Sequence, residues 1–160
     1  MHDEIQEVQV ACFRLGEDLY AIDIMRIKEI IRPLRLTNLP KFPAFVEGII
    51  NLRGSVIPVI DLRKRFDLKE CDISANTRLL IVSLAAQLLA LVVDEVTEVV
   101  SVLTRDIKPP PQLGEGINCN YLIGVCLVKQ DLIMLLNIDQ LLSRQETSEL
   151  GTIHSIVTED

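Results

Sequence analysis

The clearest hydrophobic pattern in the chain lies at residues 46 to 68, VEGIINLRGSVIPVIDLRKRFDL, where two apolar runs, Val46 to Leu52 and Val56 to Leu62, flank Arg53-Gly54-Ser55. Glycine accepts φ > 0 without a Cβ clash, so the pattern predicts a β-hairpin with a tight turn. Both runs are apolar at successive positions rather than alternate ones. That suits strands covered on both faces, as in a closed barrel, better than a one-sided open sheet. Pro58 cannot donate to a ladder, which predicts an edge or a bulge at that point. Asp61 then caps a short helical turn with Leu62 and Phe66 on one side.

The remaining pattern is mostly strand-like. Val8 to Leu15 and Asp18 to Ile22 surround Gly16-Glu17 and predict a first hairpin. Residues 24 to 31, IMRIKEII, place Ile24, Ile27, Ile30 and Ile31 on one helical face, with Asp23 as the cap and Pro33 as the stop. Pro33, Pro40 and Pro43 make the next stretch irregular, and Lys69 to Asn76 reads as a polar linker. Leu79 to Leu84 and Leu88 to Val93 flank Ala85-Ala86-Gln87; alanine and leucine leave a helix open as an alternative to a hairpin there. Val96 to Leu103 predicts a strand, Pro109-Pro110-Pro111 a stiff extended segment, and Gly114 to Asn120 a loop. Tyr121 to Val128 and Leu132 to Ile138 predict a last hairpin around Lys129-Gln130-Asp131, and Asp139 to Leu150 a C-terminal helix. Residues 1–7 and 151–160 read as flexible termini.

The two halves repeat. Residues 45 to 66 overlay 121 to 142 without a gap, so that Gly48 meets Gly124, Arg53 meets Lys129 and Asp61 meets Asn137. Residues 13 to 31 overlay 82 to 100, matching Gly16 with Ala85 and Glu29 with Glu98. The second overlay favours the hairpin over the helix at 79 to 93. Each half then holds two hairpins, and the economical architecture is all-β with a few short helices, in two similar barrels side by side. The halves run roughly over 8–70 and 76–143, within one domain at 8–143, with strands free to cross between them.

Composition narrows the chemistry. Hydrophobic residues make up 49% of the 160 residues but aromatics only 4%, so the core must be aliphatic. A formal net charge of −7 argues against non-specific binding to nucleic acid or to an anionic membrane surface. No apolar leader segment and no run of spanning length is evident, which predicts a cytoplasmic protein without membrane insertion. The four cysteines, Cys12, Cys71, Cys119 and Cys126, form no CxxC pair, and Cys12 and Cys126 fall inside apolar strand patterns as reduced structural thiols. His2 and His154 are the only histidines and lie near the termini. No convergent metal ligands, nucleophile motif, P-loop or GxGxxG are present, so no metal, cofactor or catalytic residue is expected. The pattern points to a binding module, with a small-molecule-binding or enzymatic barrel as the alternative. A deep polar pocket would favour that alternative.

Asn51-Leu52-Arg53-Gly54, followed by Ser55-Val56-Ile57-Pro58-Val59-Ile60-Asp61-Leu62, resembles the signature of the CheW family, the coupling proteins of bacterial chemotaxis. Tyr20 to Ile24, Lys28-Glu29-Ile30, Val92-Val93-Asp94 and Leu136-Asn137-Ile138 resemble the family as well, so the likeness runs over roughly residues 8 to 143. It implies two five-stranded SH3-like barrels and a scaffold that performs no reaction. Such an adaptor joins the cytoplasmic hairpin tip of chemoreceptors to the regulatory domain of a CheA-type histidine kinase, as a monomer in isolation that assembles in arrays. Adaptors of related pathways, controlling pilus motility or another output, share the pattern. By resemblance, Ile27, Glu29 and Arg53 belong to the receptor-coupling surface, with Glu29 and Arg53 able to pair. Arg78 falls where the family often carries an apolar groove residue, a departure in this chain. Glu47 and Leu113 match positions facing the kinase. The residues alone also allow core packing for Ile27, a surface ion pair for Glu29 and Arg53, and a loop residue tucked onto the barrel for Leu113.

Overall fold

The structure, a computed structural model, describes residues 6–38, 40, 42–68, 73–110 and 121–158, the side chains of the last helix as far as residue 152. Leu113, Cys71, Cys119 and the loop at 114–120 lie outside the described residues. The strands are β1 (Glu7–Leu15), β2 (Asp18–Asp23), β3 (Ile27–Ile31), β4 (Gly48–Leu52), β5 (Ser55–Asp61), β6 (Arg78–Leu84), β7 (Gln87–Val93), β8 (Glu95–Leu103), β9 (Leu122–Val128) and β10 (Asp131–Leu136). A short helix α1 (Leu62–Arg65) follows β5, and α2 (Arg144–Thr158) ends the chain.

The strands form two five-stranded sheets, ordered β8-β1-β2-β10-β9 and β3-β6-β7-β5-β4. Each closes on itself through one more antiparallel bridge. Thr37, just past β3, pairs with Ile49 on β4, and Lys108, just past β8, pairs with Val125 on β9. Closure needs glycine at both places. A Cβ on Gly48 would lie 2.9 Å from the Thr37 carbonyl oxygen, and one on Gly124 would lie 2.3 Å from that of Lys108. The overlay that matches Gly48 with Gly124 therefore marks the two seams of the barrels.

The repeat also reveals an exchange. The overlays equate β1–β5 with β6–β10. Each barrel takes its first hairpin from one repeat and its other three strands from the other: β6 and β7 sit between β3 and β5, while β1 and β2 sit between β8 and β10. A division of the chain at 70–76 therefore cuts through both barrels.

This arrangement explains strands apolar on both faces. Along β1, Val10 and Cys12 join the core of their own barrel, while Phe13 and Leu15 join a larger core shared by both. Along β6, Leu79 and Ile81 face inward and Leu80, Val82 and Leu84 face the joint. The period is still two; both sides are simply covered. Ile50, Ile57 and Ile60 are buried as the pattern predicts, and Leu52 is half-buried. Phe13, Tyr20, Phe66 and Tyr121 run through the joint as a stack, with successive ring centroids 6.3, 5.6 and 4.5 Å apart. Cys12 and Cys126 are buried in the β1-containing barrel, where burial above all, with Glu98 and Cys126 nearby, pushes the Cys12 thiol up to about 11.

Several expectations need correcting. Residues 24–31 are not a helix. Asp23 does cap, accepting from the Met25 N–H at 2.9 Å, but the result is a single 3-10 turn, Ile24–Arg26, that leads straight into β3. Four isoleucines among eight residues fit a pleated surface better than a helix interior, and β3 pairs with β6 from Ile27↔Val82 to Ile31↔Leu79. Pro58 marks neither an edge nor a bulge. β5 is an interior strand in unbroken register with β4, and its parallel ladder to β7 begins only at Val59, so no bond is asked of the proline nitrogen. The last helix starts later and ends later than its apolar pattern suggests, and the expected frayed tail is helical through Thr158.

Candidate functional site

The three hairpin turns at Arg53-Gly54, Ala85-Ala86 and Lys129-Gln130 share one shape. Both residues of each have positive φ, 50° and 89° at Arg53 and Gly54, 51° and 64° at Ala85 and Ala86, and 50° and 73° at Lys129 and Gln130. That is the mirror-image turn whose twist matches the flanking strands, and which asparagine and glycine fill most easily. An arginine here strains its backbone relative to glycine, and its side chain is 68% exposed.

Closure of the β3-containing barrel decides what Arg53 meets. It brings β3, at one end of the sheet order, against β4, at the other, so Glu29 on β3 comes beside the β4–β5 turn. The guanidinium donates to Glu29 from both ends of its fork, Nη1 to Oε1 at 3.1 Å and Nη2 to Oε2. These bonds hold the Glu29 carboxyl below its usual range and raise Arg53. The sequence-predicted pair thus forms, although Glu29 lies on a strand. Arg26, three residues before Glu29, is engaged elsewhere, on Asp139.

The other described candidates, Ile27, Arg78 and Glu47, lie in or beside the same barrel. Ile27, on β3, is half-buried and packs against the shared core. Arg78, at the start of β6, donates to the carbonyls of Ala75 at 3.0 Å and Thr77 at 2.8 Å, so its charge is tied to its own loop. Glu47 precedes β4, accepts from Lys64 Nζ at 2.8 Å and so fastens β4 to α1. Leu113 lies outside the described residues.

Sequence reasoning missed the charged groups at the joint between barrels. Arg63, on α1, is buried and donates to Asp61 through Nε at 3.0 Å and Nη2 at 2.8 Å, and to Asp94 through Nη1 at 3.0 Å. Asp94 in turn accepts from the Gly16 N–H at 2.6 Å, reaching the β1–β2 turn of the other barrel. Arg65 donates to both Glu146 oxygens at 2.5 Å and to the Leu141 carbonyl at 3.0 Å, tying α1 to α2. Arg26 makes a third tie, to Asp139 at 2.8 and 3.1 Å and to the Ser83 carbonyl at 3.1 Å. One signal was available. Ser143 and Glu146 form a reciprocal capping box, Ser143 N–H to Glu146 at 2.9 Å and Glu146 N–H to Ser143 Oγ at 3.1 Å, which fixes the start of α2.

An open cleft of about 690 Å³ lies beside the β1–β2 turn, lined by Arg14, Glu17, Asp18, Asp94 and Glu95 among others. Among the described residues no group of three or more His, Cys, Asp or Glu could hold a metal, and no helix is long and apolar enough to cross a membrane. Arg53 and Glu29 form a charged pair at the surface of one barrel.

Comparison with known proteins agrees in extent and fold. The CheW-like domain family matches residues 9–146. The chain is 36% identical over 152 residues to the chemotaxis protein CheW of Treponema pallidum, covering 92% of this chain and 89% of that one. It is 33% identical over 138 residues to protein FrzA of Myxococcus xanthus, covering 85% and 86%. The crystal structure of the scaffolding protein TtCheW from Thermoanaerobacter tengcongensis superposes with a TM-score of 0.79 at 34% identity, covering 89% of this chain and 92% of that one. With two closed, strand-exchanged barrels and a family match across nearly its whole length, the chain belongs to the CheW-like domain family.

Proposed function

We propose that this chain is a non-enzymatic cytoplasmic adaptor that couples the cytoplasmic hairpin tip of a chemoreceptor to the regulatory domain of a CheA-type histidine kinase. Family membership supports the class of function. The observation that carries the reading is the Arg53–Glu29 pair. A long cationic side chain stands on a turn that glycine or asparagine would fill with less strain, is mostly exposed, and is held by a carboxylate from across the barrel seam. The same backbone shape forms at Ala85-Ala86 with no charge at all, so the turn itself does not call for arginine. Ile27, Glu29, Arg53 and Arg78 form the receptor side of this reading, and Glu47 with Leu113 the kinase side.

In this account the protein is a monomer that joins arrays, passing receptor state to the kinase by contact, without cofactor or nucleic acid. An adaptor of a related pathway, controlling pilus motility or another output, would use the same surface, and the likeness to FrzA keeps that version open. The test is a binding assay with a receptor cytoplasmic fragment and a kinase regulatory domain, separately and together. The reading expects binary binding to each and a ternary complex. Binding to neither would overturn it.

A further inference from the structure

The turn that presents Arg53 is held from the side by its neighbour Asn51. Asn51 Oδ1 accepts from the Gly54 N–H at 2.9 Å. That bond fixes the peptide immediately after Arg53, and with it the direction in which the Arg53 side chain leaves the turn. The chain carries its own comparison in the other barrel. There the overlay places Lys129 on Arg53, Glu98 on Glu29 and Leu127 on Asn51. The backbone is matched, with φ of 50° at both Arg53 and Lys129. Leu127 is 69% exposed and offers no acceptor, and Lys129 Nζ stands 3.9 Å from Glu98 with both side chains more than half exposed. The hairpin therefore forms without the asparagine, and where it is missing the charged pair is slack. Part of that slackness belongs to lysine, which lacks the planar fork of arginine. Another difference between the two turns is the side chain at the Asn51 position, asparagine in one and leucine in the other.

We propose that Asn51 is a positioning residue for the Arg53–Glu29 surface. By clamping the Gly54 amide it sets the guanidinium against Glu29, so the pair meets a receptor already formed. Ordering a long side chain before the encounter removes that cost from the binding step. This proposal rests on the receptor-coupling reading of the same surface. Asn51 is exposed, so its truncation leaves the barrel core untouched.

The experiment titrates a receptor cytoplasmic fragment and a kinase regulatory domain against wild type, Asn51→Ala, Asn51→Asp and Arg53→Ala, and follows the Glu29 carboxyl by NMR in the isolated proteins. Asn51→Ala is expected to weaken receptor binding about fivefold or more while leaving kinase binding unchanged. Asn51→Asp, which keeps an acceptor oxygen, stays much closer to wild type. In Asn51→Ala the Glu29 carboxyl titrates higher than in wild type, because a loosened Arg53 no longer holds it down. Wild-type receptor affinity in Asn51→Ala, with Glu29 titrating as in wild type, would overturn the positioning role. Equal receptor affinity in wild type and Arg53→Ala would instead overturn the receptor reading, while the Glu29 titration would still report whether Asn51 positions the pair.

Discussion

Replacing Arg63 with methionine tests whether the joint between the barrels depends on its buried charge. The side chains of Arg63 and Asp61 are 5% and 8% exposed, and that of Asp94 is 20% exposed. Arg63 gives two donors to Asp61 and one to Asp94. Methionine fills much of the same volume but leaves Asp61 buried without the cation that pairs with it, and removing one member of a buried pair costs about 3–5 kcal/mol. Asp94 is better solvated and adds less. At roughly 2–4 °C per kcal/mol for a chain of this size, the melting temperature should fall by about 6–20 °C. Urea and thermal unfolding at neutral pH measure it. A double variant, Arg63→Met with Asp61→Asn, should recover part of the loss. Asparagine still accepts from the Arg63 position N–H that Asp61 caps at 2.9 Å, yet carries no charge. A single variant within about 1 kcal/mol of wild type, or a double variant no more stable than the single, would refute the reasoning.

Three further outcomes follow from the same structure. Gly124→Ala should destabilise more than Gly48→Ala, since its Cβ would meet the Lys108 carbonyl oxygen at 2.3 Å against 2.9 Å at Thr37; strained insertions cost about 1–3 kcal/mol, and paired denaturation curves rank them. Ile50→Ala, at 1% exposure inside the β3-containing barrel, should cost about 2–5 kcal/mol, and an unchanged melt would show that β4 is not core. Burial raises the Glu146 carboxyl, but its bonds from Arg65 and Ser143 outweigh that and leave it lowered in the folded state. A lowered folded value contributes stability above the unfolded carboxyl value, about 4.3, and loses it as pH falls through the folded one. Glu146→Gln should therefore be less stable than wild type at neutral pH, with the gap closing in melts below about pH 4.

The hairpins were legible because each couples two short apolar runs to a turn of matching chemistry, and Arg53-Gly54 is the plainest case. The barrel repeat was legible from gap-free overlays. The exchange of hairpins between repeats was not, because an overlay says that β1 is like β6 but not which partner each pairs with. β3 was misread because Ile24, Ile27, Ile30 and Ile31 satisfy a helical face as well as a strand, and the deciding information, the ladder to β6, comes from distant residues. The Arg53–Glu29 pair was anticipated by resemblance, yet its physical cause is barrel closure, which no local spacing reveals. The Arg63 cluster escaped for the same reason: Asp94 and the Gly16 amide reach it only once both barrels are assembled.

In the proposed function, the Arg53–Glu29 surface engages a receptor while kinase binding lies elsewhere. The most direct test is calorimetric titration of wild type and Arg53→Ala against a receptor cytoplasmic fragment and a kinase regulatory domain, with a thermal melt as the control for folding. The account predicts receptor affinity lowered about tenfold in Arg53→Ala, kinase affinity unchanged, and a melt close to wild type. Equal receptor affinity for the two proteins would contradict it.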